Sequence, residues 1–186
     1  GGCVRDLLLG KEPEDWDVTT NAKPEEVQKI FPENFYENKF FTVTVQTDSE
    51  DQKLKEIEVT TFRSDHKYKD RRRPEEVKYA QTIEEDLSRR DFTVNAIALG
   101  LKHEARSTKS ETIVDPFAGR KDLKAKLIRA VGEPEARFQE DALRMMRAAR
   151  LATVLNFTIE EKTKKAIQTH SQLLKEISEE RVRDEF

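Results

Sequence analysis

The 186 residues are 35% hydrophobic and 38% charged, a polar balance that allows one or two domains with a modest core. A net charge of −3 excludes a global basic field, so any contact with nucleic acid has to be a local patch. The single cysteine, Cys3, excludes a disulfide framework and a cysteine zinc site, and no apolar run is long enough to span a membrane. Taken in order, Gly1 and Gly2 followed by Val4, Leu7 and Leu8 read as a strand-to-helix turn. Such a turn needs an incoming strand, so the chain is expected to be cut from a longer protein, and the lack of a leader peptide carries no information about location. Glycine lets the backbone approach a ligand, and a fresh helix N-terminus offers unpaired N–H groups. Gly2 therefore belongs to a candidate phosphate cradle, and Arg5 adds a permanent cation beside it.

After Gly10 the chain turns at Lys11 to Glu14 and enters a strand over Asp15 to Thr19. Alternation places Asp15 and Asp17 on one face, with Trp16 and Val18 on the other. Two carboxylates on one face repel each other unless a cation lies between them, and magnesium, which takes oxygen ligands, suits that place. Alone, a glycine pair is a turn and an Asp-x-Asp is a solvated strand edge. Together, with twelve residues between Gly2 and Asp15, they are more specific.

Pro24 to Phe31 reads as a helix with Pro24 at its first position and Val27, Ile30 and Phe31 as its apolar stripe. Phe40 to Thr47 reads as a strand, Asp48 to Lys55 as a polar hairpin loop, and Glu56 to Phe62 as the returning strand. Ile57 and Val59 face one way, Glu58 and Thr60 the other. Glu58 is either an exposed strand carboxylate or a third acid beside Asp15 and Asp17. Arg63 to Pro74 has many cations and no hydrophobic period. It reads as a mobile loop, either simply solvated or holding triphosphate or RNA backbone. His66, with no metal-ligand spacing around it, is expected at the surface. In the stretch from Ile83 to Leu99, Phe92, Asn95, Ala96 and Leu99 fall at helical spacing. Asp91 is the expected N-cap, and Arg89 and Arg90 project from that helix's N-terminus.

Leu101 to Thr112 is a polar insertion, Ile113 and Val114 a short strand, and Asp115 to Gly119 a structural turn. From Gly132 the character is helical. Pro134 opens one long expected helix with Phe138, Ala142, Met145, Ala149 and Ala152 as its stripe. Asp141, Arg144, Arg147 and Arg150 recur every third residue off that stripe, as a salt-bridged solvent face or as a donor array. Thr158 and Glu161 form an expected capping box, Leu173, Leu174 and Ile177 continue a helical bundle, and Arg181 to Phe186 begins a last helix.

Four ordered motifs carry a family resemblance over almost the whole chain. They are GGCVRDLLLG with the following DWD and TNAKP, then RRDFTVNA, then DPFAGRKDL, then EDALRMMRAAR. Together they resemble the class II tRNA nucleotidyltransferase and bacterial poly(A) polymerase family. The resemblance implies an α+β, polymerase-beta-like nucleotidyltransferase head over residues 1–131, with a small mixed or antiparallel sheet and flanking helices. An all-α neck follows over residues 132–186. It implies transfer of nucleotides from CTP and ATP to the 3′ end of tRNA by a two-metal mechanism, with Mg2+ on Asp15 and Asp17. It points to Glu58 as a tuning acid, and it implies that Arg90 contacts the nucleotide while Asp91 and Asn95 shape the sugar pocket. Asp141 and Arg144 would read the base edge, with Arg147 and Arg150 near the phosphates. A cytoplasmic protein, or an organellar or nuclear one in a eukaryote, with further body and tail domains and no membrane association is implied. The nearest rival is a poly(A) polymerase, whose Arg-Arg-Phe and Leu-Ala-His-Val pattern is replaced here by Asn38 to Val45, closer to the tRNA enzymes. Phe41 stands where many of those have glycine. A catalytically silent RNA-binding module is the rival from another class, and intact Asp15, Asp17, Arg90, Asp141 and Arg144 argue against it.

Overall fold

The computed structural model describes residues 1–37, 40–69, 73–102 and 110–185. Helix α1 (Gly2–Leu8) leads through a turn into β1 (Asp17–Thr20), two residues later than the expected strand start, so Asp15 sits in the bend before it. Helix α2 (Pro24–Ile30) and strands β2 (Asn34–Glu37), β3 (Thr42–Gln46) and β4 (Glu56–Thr61) follow. They form a four-stranded sheet in the order β1-β4-β3-β2, with β1 parallel to β4 and the other pairs antiparallel. Alternation along β3 and β4 buries Val43, Val45 and Val59 on one face, where Val27 of α2 packs. The opposite face, with Glu58 and Thr60, is left for the site. Only Val27 of the expected α2 stripe is buried. A seven-residue helix makes two turns, and Ile30 (68% exposed) and Phe31 (43%) fall outside its contact with the sheet.

The cation-rich run after β4 is an antiparallel hairpin, β5 (Arg63–Lys69) with β6 (Arg73–Tyr79), where a loop was expected. Such a pair is held by its ladder hydrogen bonds, so the missing hydrophobic alternation hid it. The His66 side chain, and Asn38 and Lys39, lie outside what the structure describes, as do residues 103–109 of the polar insertion. The flanks of that insertion pair as β7 (Ala98–Lys102) and β8 (Ser110–Val114).

The helix expected from Asp91 to Leu99 does not form. Helix α3 (Ile83–Ser88) ends before it, a 3-10 turn covers Thr93–Asn95, and β7 begins at Ala98. Phe92, Val94, Ala96 and Ile97 are all buried, so burial here follows no single helical face, and the helical spacing is coincidental. Arg89 and Arg90 therefore leave the C-terminal end of α3, not the N-terminus of a following helix. Helix α4 (Gly119–Ala125) is capped by Asp115, whose two oxygens accept from the Gly119 and Arg120 N–H groups at 2.6 and 3.0 Å. A Cβ at Gly119 would lie 2.1 Å from the Thr93 carbonyl oxygen, so only glycine allows α4 to approach the Thr93–Asn95 turn this closely.

The long helix expected from Pro134 is two helices, α5 (Pro134–Glu140) and α6 (Leu143–Leu155), broken where Asp141 adopts φ −147° and ψ 107°. The Asp141 carboxylate accepts from the Leu143 N–H at 3.1 Å, which caps α6 and stabilises the break. The break shifts the apolar face: Ala148 and Leu151 are buried and Ala149 is exposed. Strand β9 (Leu127–Ile128) pairs in parallel with β10 (Thr158–Ile159), and α7 (Glu161–His170) and α8 (Glu179–Glu185) complete the helical part. Glu160, not Thr158, caps α7, accepting from the Thr163 N–H at 2.8 Å. Phe138, Ala142, Met145 and Ala166 bind α5, α6 and α7 into one core cluster. A second cluster joins Phe92, Val94, Ile97, Leu123 and Ile128 to Ala148 and Leu151 of α6. That shared core sets α6 against the segment that carries Asp91 and Asn95.

Candidate active site

A cleft of about 780 Å³ opens between α1, the start of β1, residues 89–95 and α6. Gly2 and Arg5 reach it from α1, Asp15 and Asp17 from the bend and first residue of β1. Arg90, Asp91 and Asn95 line its floor, and Asp141, Arg144, Arg147 and Arg150 its far wall. Of the residues singled out from sequence, Glu58 alone is outside it. Glu58 lines two adjoining clefts, of about 810 and 630 Å³, each together with Asp17. The acidic and basic halves meet at Gly1, where a Cβ would lie 3.4 Å from Arg90 Nη1 and 3.8 Å from Asp17 Oδ2.

A chain of polar contacts crosses the floor. Arg5 Nη1 donates to Asn95 Oδ1 at 2.8 Å, Asn95 Nδ2 donates to Asp91 Oδ1 at 3.3 Å, and Arg147 Nη1 donates to Asp91 Oδ2 at 3.1 Å. Thus α1 is coupled to α6 through Asn95 and Asp91. The remaining arginines are held by acids outside or at the rim of the cleft. Arg5 is gripped by both oxygens of Asp6 at 2.8 Å, Arg144 by Glu140 at 2.8 Å, and Arg150 by Glu185 at 2.7 Å. Burial works against the charge of Arg147, but the Asp91, Glu185 and Asp141 carboxylates, Asp91 foremost, together outweigh it and raise the guanidinium above its ordinary value. Asp141 takes Arg181 of α8 on both oxygens, each at 3.2 Å.

Arg63, Arg89 and Phe40 also line the cleft and were not singled out from sequence as site residues. Arg63 donates to the Phe40 carbonyl at 3.0 Å and its guanidinium lies 5.3 Å from the Phe40 ring centre. The cationic run from Arg63 was visible in the sequence, but which cation turned inward was not. Of the acids behind the arginines, Asp86 and Glu140 stand at helix-pair spacing from Arg89, Arg90 and Arg144, whereas Glu185 is distant in sequence and gave no signal apart from its charge.

The carboxylates of Asp15 and Asp17 are exposed to the cleft, and neither accepts a side-chain hydrogen bond among the described residues. No group of three His, Cys, Asp or Glu residues among the described residues converges tightly enough to hold a metal by itself. Two unengaged carboxylates that need phosphate and water oxygens to complete a shell are a donor set that fits magnesium, which is commonly bound through one or two carboxylates plus substrate phosphates.

Fold and cleft together define the class: a nucleotidyltransferase head of polymerase-beta-like fold. Residues 1–129 match the family described as "Poly A polymerase head domain", and residues 156–186 match "Probable RNA and SrmB- binding site of polymerase A". The chain belongs to the poly(A) polymerase head-domain family. It is 49% identical over 187 aligned residues to the CCA-adding enzyme of Lactobacillus helveticus, covering all of this chain and 44% of that protein. It is 48% identical to the CCA-adding enzyme of Geobacillus thermodenitrificans, covering 98% of this chain and 42% of that protein. Among solved structures it is similar to the Bacillus stearothermophilus CCA-adding enzyme in complex with CTP, at TM-score 0.83 and 44% identity, covering all of this chain and 42% of that one. It is also similar to a tRNA nucleotidyltransferase complexed with a primer tRNA and an incoming ATP analogue, at TM-score 0.77 and 32% identity, covering all of this chain and 50% of that one. The chain therefore spans less than half the length of the curated relatives it matches.

Proposed function

We propose that this chain is the catalytic head, residues 1–131, and nucleotide-selecting neck, residues 132–186, of an enzyme that adds nucleotides from CTP and ATP to the 3′ end of tRNA. One observation carries the reading. A single cleft is lined by the Asp15 and Asp17 carboxylates, by the arginines Arg5, Arg90, Arg147 and Arg150, and by the Asp141 and Arg144 pair of the neck. The 3′-hydroxyl of the RNA attacks the α-phosphorus of the nucleoside triphosphate, a P–O bond forms, and the bond to pyrophosphate breaks. Arg5 and Arg90 fix the triphosphate, with Arg147 and Arg150 adding cationic charge along α6, so that catalysis is mainly positioning and charge neutralisation. Asp91 and Asn95 shape the sugar pocket, and Glu58 tunes the acidic edge beside Asp17. Two magnesium ions held by Asp15 and Asp17 would supply a lowered hydroxyl pKa and neutralisation of the leaving phosphates.

The solved relative with CTP and the relative with primer tRNA and an ATP analogue support the nucleotide and RNA classes. Further domains of a longer polypeptide would grip the tRNA body. No helix among the described residues is long and apolar enough to cross a membrane. The test incubates the full-length protein with tRNA lacking its terminal CCA and with each triphosphate separately. Addition limited to C and A on tRNA supports the reading. Long A-tracts on unrelated RNA would instead mark a poly(A) polymerase, and no incorporation would mark a silent RNA-binding module.

A further inference from the structure

Asp86 has a place in this site that neither its sequence position nor the proposed reaction accounts for. It lies in α3, it is 0% exposed, and it touches three cleft arginines from behind. Oδ1 accepts from the Arg63 backbone N–H at 3.2 Å and from Arg89 Nε and Nη2 at 3.1 and 2.9 Å. Oδ2 makes no hydrogen bond among the described residues and faces Arg90 Nη2 at 3.6 Å. The two arginines are thus treated unequally. Arg89 commits two donors to Asp86. Arg90 is drawn by charge alone, and its side chain makes no hydrogen bond among the described residues.

We propose that Asp86 is a positioning residue that aims Arg90 at the triphosphate while leaving the Arg90 Nη donors open to it. A buried carboxylate without enough hydrogen bonds is costly unless a charge compensates it. Here the compensation is the fixed Arg89 and the movable Arg90. The same carboxylate pins the first residue of β5, so Arg63 and the Phe40 turn are registered to the same point. Pre-orientation of this kind lowers the ordering cost of binding a polyanion. The assignment rests on the proposed nucleotidyl-transfer reading.

The test is Asp86→Asn in the full-length protein. The amide oxygen keeps the contacts to the Arg63 N–H and Arg89, while its NH2 group faces Arg90, donor against donor. KM for CTP and for ATP should rise together by about tenfold, with kcat changed by less than about threefold, the pattern of lost ground-state binding. In the double variant with Arg90→Ala, KM should equal that of Arg90→Ala alone, because Asp86 acts through Arg90. A fall in kcat with unchanged KM, or additive effects in the double variant, overturns the assignment. Should Asp86→Asn fail to fold, the wild-type protein still decides the matter by NMR of the arginine Nε–H groups during titration with inorganic pyrophosphate. The Arg90 signal should shift and the Arg89 signal should stay; the reverse overturns the proposal. A wild-type protein that incorporates no nucleotide sinks the functional reading, whereas normal wild-type incorporation with an unmoved KM in Asp86→Asn sinks only the role of Asp86.

Discussion

Asp17 and Glu58 stand in register on the neighbouring parallel strands β1 and β4. Register partners in a sheet present their side chains to the same face, so the two carboxylates share the edge of the cleft. Their neighbours differ, however. Asp17 and Asp15 open on the cleft that holds Arg5, Arg144, Arg147 and Arg150, and Glu58 opens on the adjoining ones, whose lining arginines are only Arg63, Arg89 and Arg90.

The first prediction follows from that asymmetry. Asp17→Asn in the full-length protein should lower kcat for CTP and ATP incorporation by roughly a thousandfold, the scale of several kcal/mol of charge stabilisation. Glu58→Gln should lower it by no more than about tenfold. Neither should shift the melting temperature, since Asp17 is exposed. Near-normal turnover by Asp17→Asn at ordinary magnesium would remove Asp17 from the metal site.

Much of this arrangement was legible in the sequence because the motifs mark positions where backbone and charge requirements coincide. Gly2, Asp15, Asp17 and the arginines of α6 all reach one cleft. Two helices were misread for different reasons. Residues 92–99 have helical spacing, but Phe92, Val94, Ala96 and Ile97 are all buried while Asn95 faces the cleft, and burial decided against periodicity. The helix from Pro134 contains no glycine or proline to mark its break; Asp141 makes the break by capping α6 with its own side chain. An aspartate directly before the buried run from Ala142 to Met145 was the available signal. Asp86 was only half legible. Its spacing of three and four residues to Arg89 and Arg90 is that of helix ion pairs, whereas its burial and its bond to the Arg63 N–H come from tertiary packing.

The second prediction concerns Phe41. It adopts φ +56°, a left-handed conformation that costs a residue with a side chain about 1–2 kcal/mol. Its ring stacks on Tyr79 with centroids 4.3 Å apart and planes at 21°, a contact that offsets about 1 kcal/mol of that strain. Phe41→Ala loses the stack and keeps the strain, while Phe41→Gly loses both. The glycine variant should therefore be more stable than the alanine variant by about 1 kcal/mol in denaturant unfolding. Equal stability, or a more stable alanine variant, would mean that the turn is not left-handed at this position.

The third prediction is a pH dependence at the join between β9 and α7. Glu160 accepts from the Thr163 N–H and hydroxyl at 2.8 and 2.9 Å and from Arg129 Nη1 at 3.0 Å. Burial alone would raise its carboxyl, but the Thr163 hydrogen bonds and then the Arg129 charge outweigh burial and hold it below the ordinary value. A depressed carboxylate contributes stability that is complete above its unfolded pKa, about 4.3, and is lost as pH falls through the folded value. The melting temperature of Glu160→Gln should lie below wild type by a constant margin above about pH 5.5, and the gap should close below about pH 4. A margin independent of pH would show that Glu160 acts through packing rather than charge.

The last prediction concerns selection of C and A without a nucleic-acid template. A carboxylate accepts hydrogen bonds and a guanidinium donates them. Cytosine and adenine each offer an amino group beside an accepting ring nitrogen, and uracil and guanine present the reverse. Asp141 and Arg144 both line the cleft and match the first pattern. Exchanging the two residues would be a poor test. A guanidinium at position 141 would meet Arg181, and a carboxylate at position 144 would meet Glu140, because those groups hold the present side chains at 3.2 and 2.8 Å. Single substitutions avoid both repulsions. Asp141→Asn and Arg144→Met should each reduce the preference for CTP and ATP over UTP and GTP by at least about tenfold, since a site built on hydrogen bonds discriminates by leaving the wrong base unpaired. Triphosphate affinity should change little, because Arg147 and Arg150 keep their Asp91 and Glu185 partners. If both variants exclude UTP and GTP as strongly as the wild type, the base edge is read by other groups than Asp141 and Arg144.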